Sequence, residues 1–425
     1  MSLLIKNGRI IDPKENRDGI FDILVKDGVV AEIGENLTAE ADTVIDAANQ
    51  WVVPGLIDVH VHLREPGFEH KETIETGCKS AAKGGITTVC CMPNTNPSID
   101  NPTVVEYINQ KAKEFGVVNV LPVGAITIGQ KGEELTDVKA MIEAGICAIS
   151  DDGRSVMNAK VLKESMAHMK QFNIPMLSHC EDMTLMGGSM NLGENSKRFG
   201  LEGIGNEAED IITARDIILA EATGIKLHLC HVSTELSLDI IRFAKARGAN
   251  ITAETAPHYF TLTDDRVGME QDTFAKMSPP LRTDKDREAT RRALQDGTLD
   301  IIATDHAPHH EEEKKVAFAK APFGIVGLET SFAISYTNLV ETGILTPTQL
   351  IEKMSLNPAT LMGLNKGTLG KGKVADIAII DPNVAYVIDP NNFVSKSKNT
   401  PFGGTLVKGQ VKCTIVNGNI VYTHN

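Results

Sequence analysis

The sequence predicts an α/β protein, a TIM-type (β/α)8 barrel with a small β domain formed by both termini. Three observations lead to this prediction. The middle of the chain alternates short apolar runs with helical stretches, both ends contain only strands and turns, and polar side chains stand where the apolar runs stop. Polar residues that are distant in sequence converge only if their strands are parallel and share one rim, as in a barrel.

The small β domain is expected from the two ends of the chain. Asn7-Gly8 and Asp27-Gly28 follow β-forming segments near the N-terminus, and Asn417-Gly418 does the same near the C-terminus. Such pairs between β-formers are hairpin signals. Because neither end has a helical period to cover its sheet, we expect them to pair in one β-sandwich-like domain of residues 1–52 and 366–425.

Residues 53–365 are expected to form the barrel, because eight strand-like segments alternate there with helical ones. Gly145 and Gly224 stand between a helix and the next strand, where a helix C-cap favours positive φ. A doubly wound open sheet is the alternative, but it does not bring distant strand ends to one point. The predicted strands are 55–61, 86–91, 117–124, 145–150, 174–178, 225–230, 249–254 and 299–304, and the predicted helices include 103–114, 133–144, 159–171, 207–222, 235–246 and 286–296.

Composition and charge indicate an enzyme of the cytoplasm that acts on a small molecule. The formal net charge of −14 argues against nucleic acid and anionic membranes as partners. No apolar run approaches the roughly 20 residues of a membrane helix, and the first residues lack the basic and apolar regions of a signal peptide. The seven Cys form no CxxC pair, as is usual in a reducing compartment.

His and Asp residues end several of the predicted barrel strands. His60 and His62 are two positions apart on one strand, so their side chains share a face and can bind the same ion. A single His at a strand end is more often structural, but the set favours a site for zinc or a similar divalent ion and hence metal-assisted hydrolysis. The residues at these positions are His60, His62, Asp151, Asp152, His179, His231 and Asp305.

Two long segments resemble the signatures of the dihydroorotases, in the amidohydrolase superfamily. They are Pro-Gly-Leu-Ile-Asp-Val-His-Val-His-Leu-Arg-Glu-Pro-Gly at 54–67 and Ala-Thr-Asp-His-Ala-Pro-His at 303–309. The similarity covers essentially the full chain and is to the bacterial class whose members act as separate enzymes. It continues through Met92-Pro93-Asn94-Thr95, Ser178-His179-Cys180-Glu181-Asp182, Cys230-His231-Val232-Ser233-Thr234 and Lys320-Ala321-Pro322-Phe323-Gly324.

The resemblance implies a reaction and a cofactor. The reaction is the reversible, metal-assisted cyclisation of N-carbamoyl-L-aspartate to L-dihydroorotate in de novo pyrimidine biosynthesis. The cofactor is Zn²⁺, two ions per chain, with a bridging hydroxide that attacks the ring amide carbonyl while Asp305 shuttles the proton. Asp305 is therefore the expected catalytic residue.

The resemblance also implies the metal ligands. His60 and His62 would hold one ion, His179 and His231 the other, and Asp305 would touch a metal. Many relatives bridge the ions with a carboxylated lysine, but this chain has Ser-Asp-Asp-Gly at the end of strand four, as in dihydroorotases that bridge with Asp. Register favours Asp152, and periodicity leaves its neighbour Asp151 open.

Substrate contacts follow from the same resemblance. Arg64 suits bidentate binding of the substrate carboxylate, and its alternative is a surface salt bridge. Ser278 stands where relatives have Asn, which puts that contact in question, and Tyr259 stands where many relatives have His. The expected substrate-binding residues are His62, Arg64, Asn94, Ser278, His309, Phe323 and Gly324.

Other functions fit the sequence less well than this one. Allantoinases and hydantoinases are cyclic-amide hydrolases of the same fold, but the missing bridging Lys and the presence of Arg64 disfavour both. A catalytically silent scaffold protein is disfavoured because every candidate ligand is present. A homodimer and an association with a transcarbamoylase are left open.

The segment 309–320 is expected to be a mobile lid. It follows the strand that carries Asp305, and its charged composition predicts little apolar burial. Closure would exclude bulk water and bring His309 to the substrate carboxylate. The alternative is an ordinary solvated helix start.

Overall fold

The computed structural model describes residues 2–424. In chain order its strands are β1 (Ser2–Asp12), β2 (Arg17–Lys26), β3 (Val29–Gly34), β4 (Thr43–Asp46), β5 (Trp51–Pro54), β6 (Leu56–Val61), β7 (Ile86–Cys91), β8 (Asn119–Gly124), β9 (Ala148–Ile149), β10 (Met176–Ser178), β11 (Met190–Asn191), β12 (Gly203–Ile204), β13 (Leu227–Leu229), β14 (Ile251–Thr255), β15 (Ile301–Ile302), β16 (Ile377–Val387), β17 (Leu406–Val416) and β18 (Asn419–Thr423).

The helices follow the alternation expected of βα units. They are α1 (Ile74–Lys83), α2 (Pro102–Phe115), α3 (Val138–Ala144), α4 (Ala159–Met169), α5 (Glu194–Phe199), α6 (Glu207–Thr223), α7 (Glu235–Ala246), α8 (Pro257–Thr261), α9 (Asp284–Asp296), α10 (Glu311–Lys314), α11 (Ser331–Ser335), α12 (Pro347–Ile351) and α13 (Asn357–Leu361). Within the described residues, no helix is both long enough and apolar enough to cross a membrane.

Eight parallel strands form the predicted TIM-type barrel. Their order in the sheet is β6, β7, β8, β9, β10, β13, β14 and β15. The two edges meet where Val61 bridges His306 in parallel, and the backbone N–H of His62 donates to the His306 carbonyl over 2.8 Å. Sequential parallel strands with helices between them confirm the barrel rather than the open sheet.

Both ends of the chain lie in one sheet beside the barrel. Strands β1 to β5 from the N-terminal side join β16 to β18, and β16 pairs antiparallel with β5, with Ile379 opposite Val52. Buried apolar side chains such as Ile10, Ile23 and Ile415 form a separate core under this sheet. The sheet formed by the termini is as expected, and the domain boundaries at 52/53 and 365/366 stay predictions.

Helix ends follow local chemistry. Gly145 and Gly224 end α3 and α6 with φ of 110° and 73°, a left-handed conformation that Gly adopts without strain. The predicted start of α3 at residue 133 is wrong, because Asp137 caps the helix by accepting from the N–H of Ala140. An Asp side chain that satisfies such an N–H makes its own position the helix boundary.

Candidate metal centre and active site

Four imidazoles and two carboxylates meet at the carboxyl ends of the barrel strands. Asp152 Oδ1 lies 3.2 Å from His60 Nε2, 3.4 Å from His179 Nδ1 and 3.9 Å from His231 Nε2. All of these side chains are buried. One carboxylate oxygen is therefore within reach of nitrogens from β6, β10 and β13, as the parallel barrel requires.

Asp305 adds the second carboxylate beside the first strand. Its Oδ1 lies 3.0 Å from His62 Nε2 and 3.6 Å from His60 Nε2. His60 and His62 therefore face the same acidic groups, as their spacing on β6 predicts.

The neighbouring acids Asp151 and Asp152 have different surroundings. Asp151 Oδ1 accepts from the backbone N–H groups of Ile126 and Thr127, and its Oδ2 accepts from the Thr127 hydroxyl over 2.5 Å. Both oxygens of Asp151 thus accept hydrogen bonds from the loop after β8. Asp152 is the acid that faces the imidazoles.

The donor atoms at this rim fit divalent cations. Among residues 2–424, His60 Nε2 and Asp152 Oδ1 are buried and, although they lie 3.2 Å apart, neither makes a hydrogen bond of good geometry. Unpartnered buried polar atoms of this kind are costly unless a cation takes the place of the missing partner. In the described part of the chain, three sets of donor atoms each lie within 4.8 Å of one another, and two of them consist of candidate ligands: His60, Asp152 and His231, and His60, His62 and Asp305. The third is His60, Cys230 and Glu254.

Hydrogen bonds behind the imidazoles fix their tautomers. His60 Nδ1 donates to Glu254 over 2.7 Å, His62 Nδ1 donates to Asn94 over 2.8 Å, and His179 Nε2 donates to Glu181 over 2.9 Å. In each ring the other nitrogen faces the centre, where a metal ion could bind it in place of a proton.

Glu254 and Glu181 are site residues that the sequence analysis missed. Glu254 also accepts from His228 over 3.0 Å, so it ties two strands together behind His60. A signal was available for Glu254, because it ends the predicted strand 249–254 just as the ligand candidates end theirs. Glu181 follows His179 by two positions, inside the segment Ser-His-Cys-Glu-Asp.

His231 is held in the neutral form that a metal ligand needs. Burial, together with repulsion from His179 and His60, lowers its pKa to about 4.

Three site residues adopt backbone conformations that non-glycine residues rarely take. The φ angles of Arg64, His231 and Asp305 are 63°, 39° and 48°. Each follows a barrel strand directly or by a few residues, so the turn out of the strand re-aims the side chain toward the centre. Strain of this kind costs on the order of 1–3 kcal/mol per residue and concentrates at functional sites.

A cavity of about 340 Å³ opens onto the acidic and imidazole groups. Its wall includes every residue expected to bind the substrate: His62, Arg64, Asn94, Ser278, His309, Phe323 and Gly324. The structure thus brings the whole predicted set together, while the individual roles stay predictions.

One side of this cavity is cationic. Burial lowers the pKa of Arg64 to about 10, so the guanidinium remains charged at neutral pH. His309 Nε2 donates to the Phe323 carbonyl over 2.8 Å, and Lys71 Nζ lies 3.3 Å from His309 Nδ1. Burial and the charges of Arg64 and Lys71 lower the pKa of His309, which leaves a neutral imidazole between two cations.

Ser278 makes a contact that differs from the one expected for it. Its Oγ donates to Glu181 Oε2 over 2.7 Å, and the same oxygen accepts from His179. Tyr259 also points away from the centre, since its hydroxyl donates to the Pro279 carbonyl over 2.6 Å. Ser278 still lines the cavity, so a substrate contact there stays a prediction.

Comparisons with known proteins agree with this site. The family described as Dihydro-orotase-like matches residues 49–237. The dihydroorotase of Acetivibrio thermocellus is 53% identical over 420 residues, covering 99% of this chain and 98% of that protein. The dihydroorotase of Pelobacter propionicus is 51% identical over 424 residues, covering 99% of this chain and 100% of that protein.

Solved structures of cyclic-amide hydrolases share the fold at lower identity. L-hydantoinase (dihydropyrimidinase) from Arthrobacter aurescens superposes with a TM-score of 0.89 at 27% identity, covering 99% of this chain and 96% of that one. A D-hydantoinase superposes with a TM-score of 0.88 at 26% identity, covering 100% and 95%. The chain is 53% identical over its full length to a dihydroorotase and 27% identical to the hydantoinase. Among cyclic-amide hydrolases of this fold, it therefore belongs to the dihydroorotase family.

Proposed function

We propose that this protein is a dihydroorotase that interconverts N-carbamoyl-L-aspartate and L-dihydroorotate, a step of pyrimidine biosynthesis. The observation that carries the proposal is the 53% identity to a dihydroorotase over 99% of the chain, in a protein that retains all four His and both carboxylates at the barrel rim. The enzyme is accordingly a metal-dependent cyclic amidohydrolase.

The candidate ligands divide between two ions, which we propose to be Zn²⁺. His60 and His62 would hold one, His179 and His231 the other, Asp152 would bridge them, and Asp305 would also touch a metal. When bound, such ions lower the pKa of water and polarise the amide carbonyl.

Asp305 is the proposed proton carrier, because it is a carboxylate on the cavity wall beside the ligands. In the ring-opening direction, water adds its oxygen to the ring carbonyl carbon and the ring C–N bond breaks. Asp305 accepts the proton from water and delivers it to the departing nitrogen. In the closing direction the ureido nitrogen forms the ring C–N bond, and Asp305 takes the proton from that nitrogen and passes it to the departing carboxyl oxygen. With the second proton of the carboxyl group, that oxygen leaves as water.

Arg64, Asn94 and His309 are proposed to bind the carboxylate that lies outside the ring. Arg64 presents a planar, charged fork suited to a carboxylate. The Nε2–H of His309 donates to the Phe323 carbonyl, so His309 would exchange this bond for one to the carboxylate when substrate binds. Phe323 and Gly324 line the same part of the cavity.

Turnover of dihydroorotate, followed by ultraviolet absorbance, tests the proposal directly. Dihydrouracil, hydantoin and allantoin serve as competing cyclic amides under the same conditions. We expect kcat/KM to be highest for dihydroorotate by several orders of magnitude, because only this substrate places a carboxylate on Arg64. A preference for hydantoin or allantoin would replace the proposal with one of the rival activities.

We also propose that the protein works in the cytoplasm as a homodimer. The observation that supports a dimer is a pair of exposed apolar side chains on the neighbouring helices α6 and α7, Ile218 at 63% and Phe243 at 65% exposure. Light scattering tests the dimer. An association with a transcarbamoylase stays a prediction, to be tested by co-purification of the two enzymes.

A further inference from the structure

Lys314 is buried behind the cationic wall of the cavity and is 2% exposed. Its ammonium donates to the carbonyls of Pro322 over 2.7 Å, Thr273 over 3.2 Å and Lys276 over 3.3 Å. One charged group therefore joins the segment after β15 to the segment that precedes Ser278.

Lys276 makes the reciprocal connection and is also 2% exposed. Its ammonium donates to the carbonyls of Phe318 over 2.7 Å and Ala319 over 3.1 Å. It also lies 4.5 Å from the centroid of the Phe323 ring, a distance at which a cation attracts an aromatic face.

Neither ammonium is neutralised by a carboxylate. Across residues 2–424, no Asp or Glu oxygen lies within 4.0 Å of Lys276 or Lys314 Nζ. The acids that act on Lys314 from a greater distance are already paired: Asp272 with Arg266 over 2.7 Å, and Glu313 with Lys71 over 3.2 Å. The surrounding segments thus hold two buried positive charges that are solvated only by neutral carbonyls.

The cost of holding these charges appears in their pKa values. Burial, with repulsion from Lys276 and Arg64, lowers the pKa of Lys314 to about 7, while Asp272 and Glu313 act in the opposite direction. Burial lowers the pKa of Lys276 to about 8. An anion bound nearby would favour the protonated form of both.

Both lysines act on residues of the cavity wall. The Pro322 carbonyl held by Lys314 immediately precedes Phe323, whose own carbonyl fixes His309. The charge of Lys314 also contributes, after burial, Arg64 and Lys71, to the lowered pKa of His309. Positive potential from Lys314 therefore reaches the imidazole that faces the substrate.

We propose that Lys314, supported by Lys276, determines substrate specificity. Lys314 positions Phe323 and His309, and its buried positive charge makes the cavity favour a ring that carries a carboxylate. The inference rests on the proposed function and deepens it. Arg64 contacts the carboxylate directly. Lys314 acts at a distance, through its electrostatic potential and through the backbone of the cavity wall to which it is hydrogen-bonded.

The sign of the pH dependence follows from the lowered pKa. In the free enzyme Lys314 is charged below about pH 7 and loses its charge above it. The substrate carboxylate is ionised throughout this range, since such groups titrate near about 4. KM for dihydroorotate should therefore be low near pH 6 and rise toward pH 9, where the attraction is lost.

Steady-state kinetics between pH 6 and pH 9 test the proposal. The proteins compared, all loaded with zinc, are wild type, Lys314→Arg, Lys314→Met and Lys320→Met. Lys314→Arg should keep KM low and reduce its pH dependence to the part that Lys276 contributes near pH 8, because guanidinium does not titrate there. Lys314→Met should raise KM roughly tenfold at pH 6 with kcat changed less than threefold, as expected for loss of one nearby charge. Lys320, exposed on the same segment, is the matched control and should leave both constants unchanged.

A second measurement does not depend on turnover. Calorimetric binding of orotate in buffers of different ionisation enthalpy should show proton uptake near pH 7.5 by wild type and by Lys320→Met, and less uptake by Lys314→Arg. A KM that rises with pH equally in wild type and Lys314→Arg, or a Lys314→Met variant that loses kcat at unchanged KM, would overturn the inference. If wild type did not turn over dihydroorotate at all, the proposed function would be rejected. Proton uptake on orotate binding, measured by calorimetry, would still test whether Lys314 gains its charge near a bound anion.

Discussion

Glu181 links a candidate ligand to a cavity residue through a single carboxylate oxygen. Its Oε2 accepts from His179 Nε2 over 2.9 Å and from Ser278 Oγ over 2.7 Å. A serine hydroxyl is short and offers a single donor. At the scale of the residue, Ser278 therefore supports the orientation of His179 as well as lining the cavity.

Replacing Ser278 by Ala should lower kcat/KM by less than about tenfold, because one neutral hydrogen bond to Glu181 is lost, at about 1 kcal/mol. Glu181→Gln should weaken zinc binding more, since the amide accepts from His179 less strongly than a carboxylate does. Competition with a chelator measures the zinc affinity of both variants. A loss above a hundredfold in kcat/KM for Ser278→Ala at full zinc content would instead indicate a direct contact with the substrate.

Asp305→Asn should lower kcat by at least about a hundredfold, the usual contribution of a general acid–base group. Because Asp305 Oδ1 lies 3.0 Å from His62 Nε2 among the candidate ligands, elemental analysis of the variant must accompany the kinetics. Full activity at full metal occupancy would show that another group carries the proton.

At the scale of the element, the segment 309–320 combines features of a lid with internal anchors. It contains the short helix α10 (Glu311–Lys314) and a 3-10 turn at Phe318–Lys320. The expectation of little apolar burial holds for Val316, Ala317 and Ala319, which are exposed, but not for Phe318, which is 2% exposed and packs beside Lys276. Although the segment is mostly charged, it contains one buried apolar side chain, Phe318, and one buried ammonium, that of Lys314.

Hydrogen exchange tests whether this segment moves as a lid. Amides of 311–320 are expected to exchange fast in the free enzyme and to be protected when orotate binds, because an anion on Arg64 strengthens the charged wall that Lys314 anchors. In Lys314→Met the same amides should exchange faster in both states. Equal protection of wild type with and without saturating orotate would identify the segment as a fixed part of the scaffold.

At the scale of the whole molecule, the candidate ligands come from strands far apart in the chain. His60 lies on β6, Asp152 follows β9, His179 follows β10, His231 follows β13 and Asp305 follows β15. Ions bound there would connect one side of the barrel to the other. Any ligand that binds the folded state alone stabilises it by mass action.

Removal of zinc by a chelator should abolish activity and lower the melting temperature by several degrees, since the buried carboxylates and imidazoles lose their shared partner. Calorimetry of the chelated and zinc-reloaded protein measures the shift, and Asp152→Asn should reduce it. Reloading should succeed without bicarbonate because the proposed bridge is Asp152. Recovery only with bicarbonate would point to a carboxylated lysine, and an active enzyme free of metal would reject the metal mechanism.

The fold class and the candidate ligands follow from local patterns in the sequence. Strand and helix periods are properties of neighbouring residues, so the helix 235–246 was predicted with the bounds that the structure has. The spacing of His60 and His62, and the position of each polar residue just after an apolar run, are equally local. Parallel strands then force these residues to one rim.

Which of two neighbouring residues faces the site depends on contacts between distant elements. Asp152 faces the imidazoles, whereas Asp151 is hydrogen-bonded to the loop after β8. Glu254 contacts His60 although 194 residues of chain separate the two. Lys314 reads in sequence as one more charge on a solvated segment, yet it is buried among carbonyls. Such contacts depend on backbone positions set by packing between distant elements, and no local period encodes them.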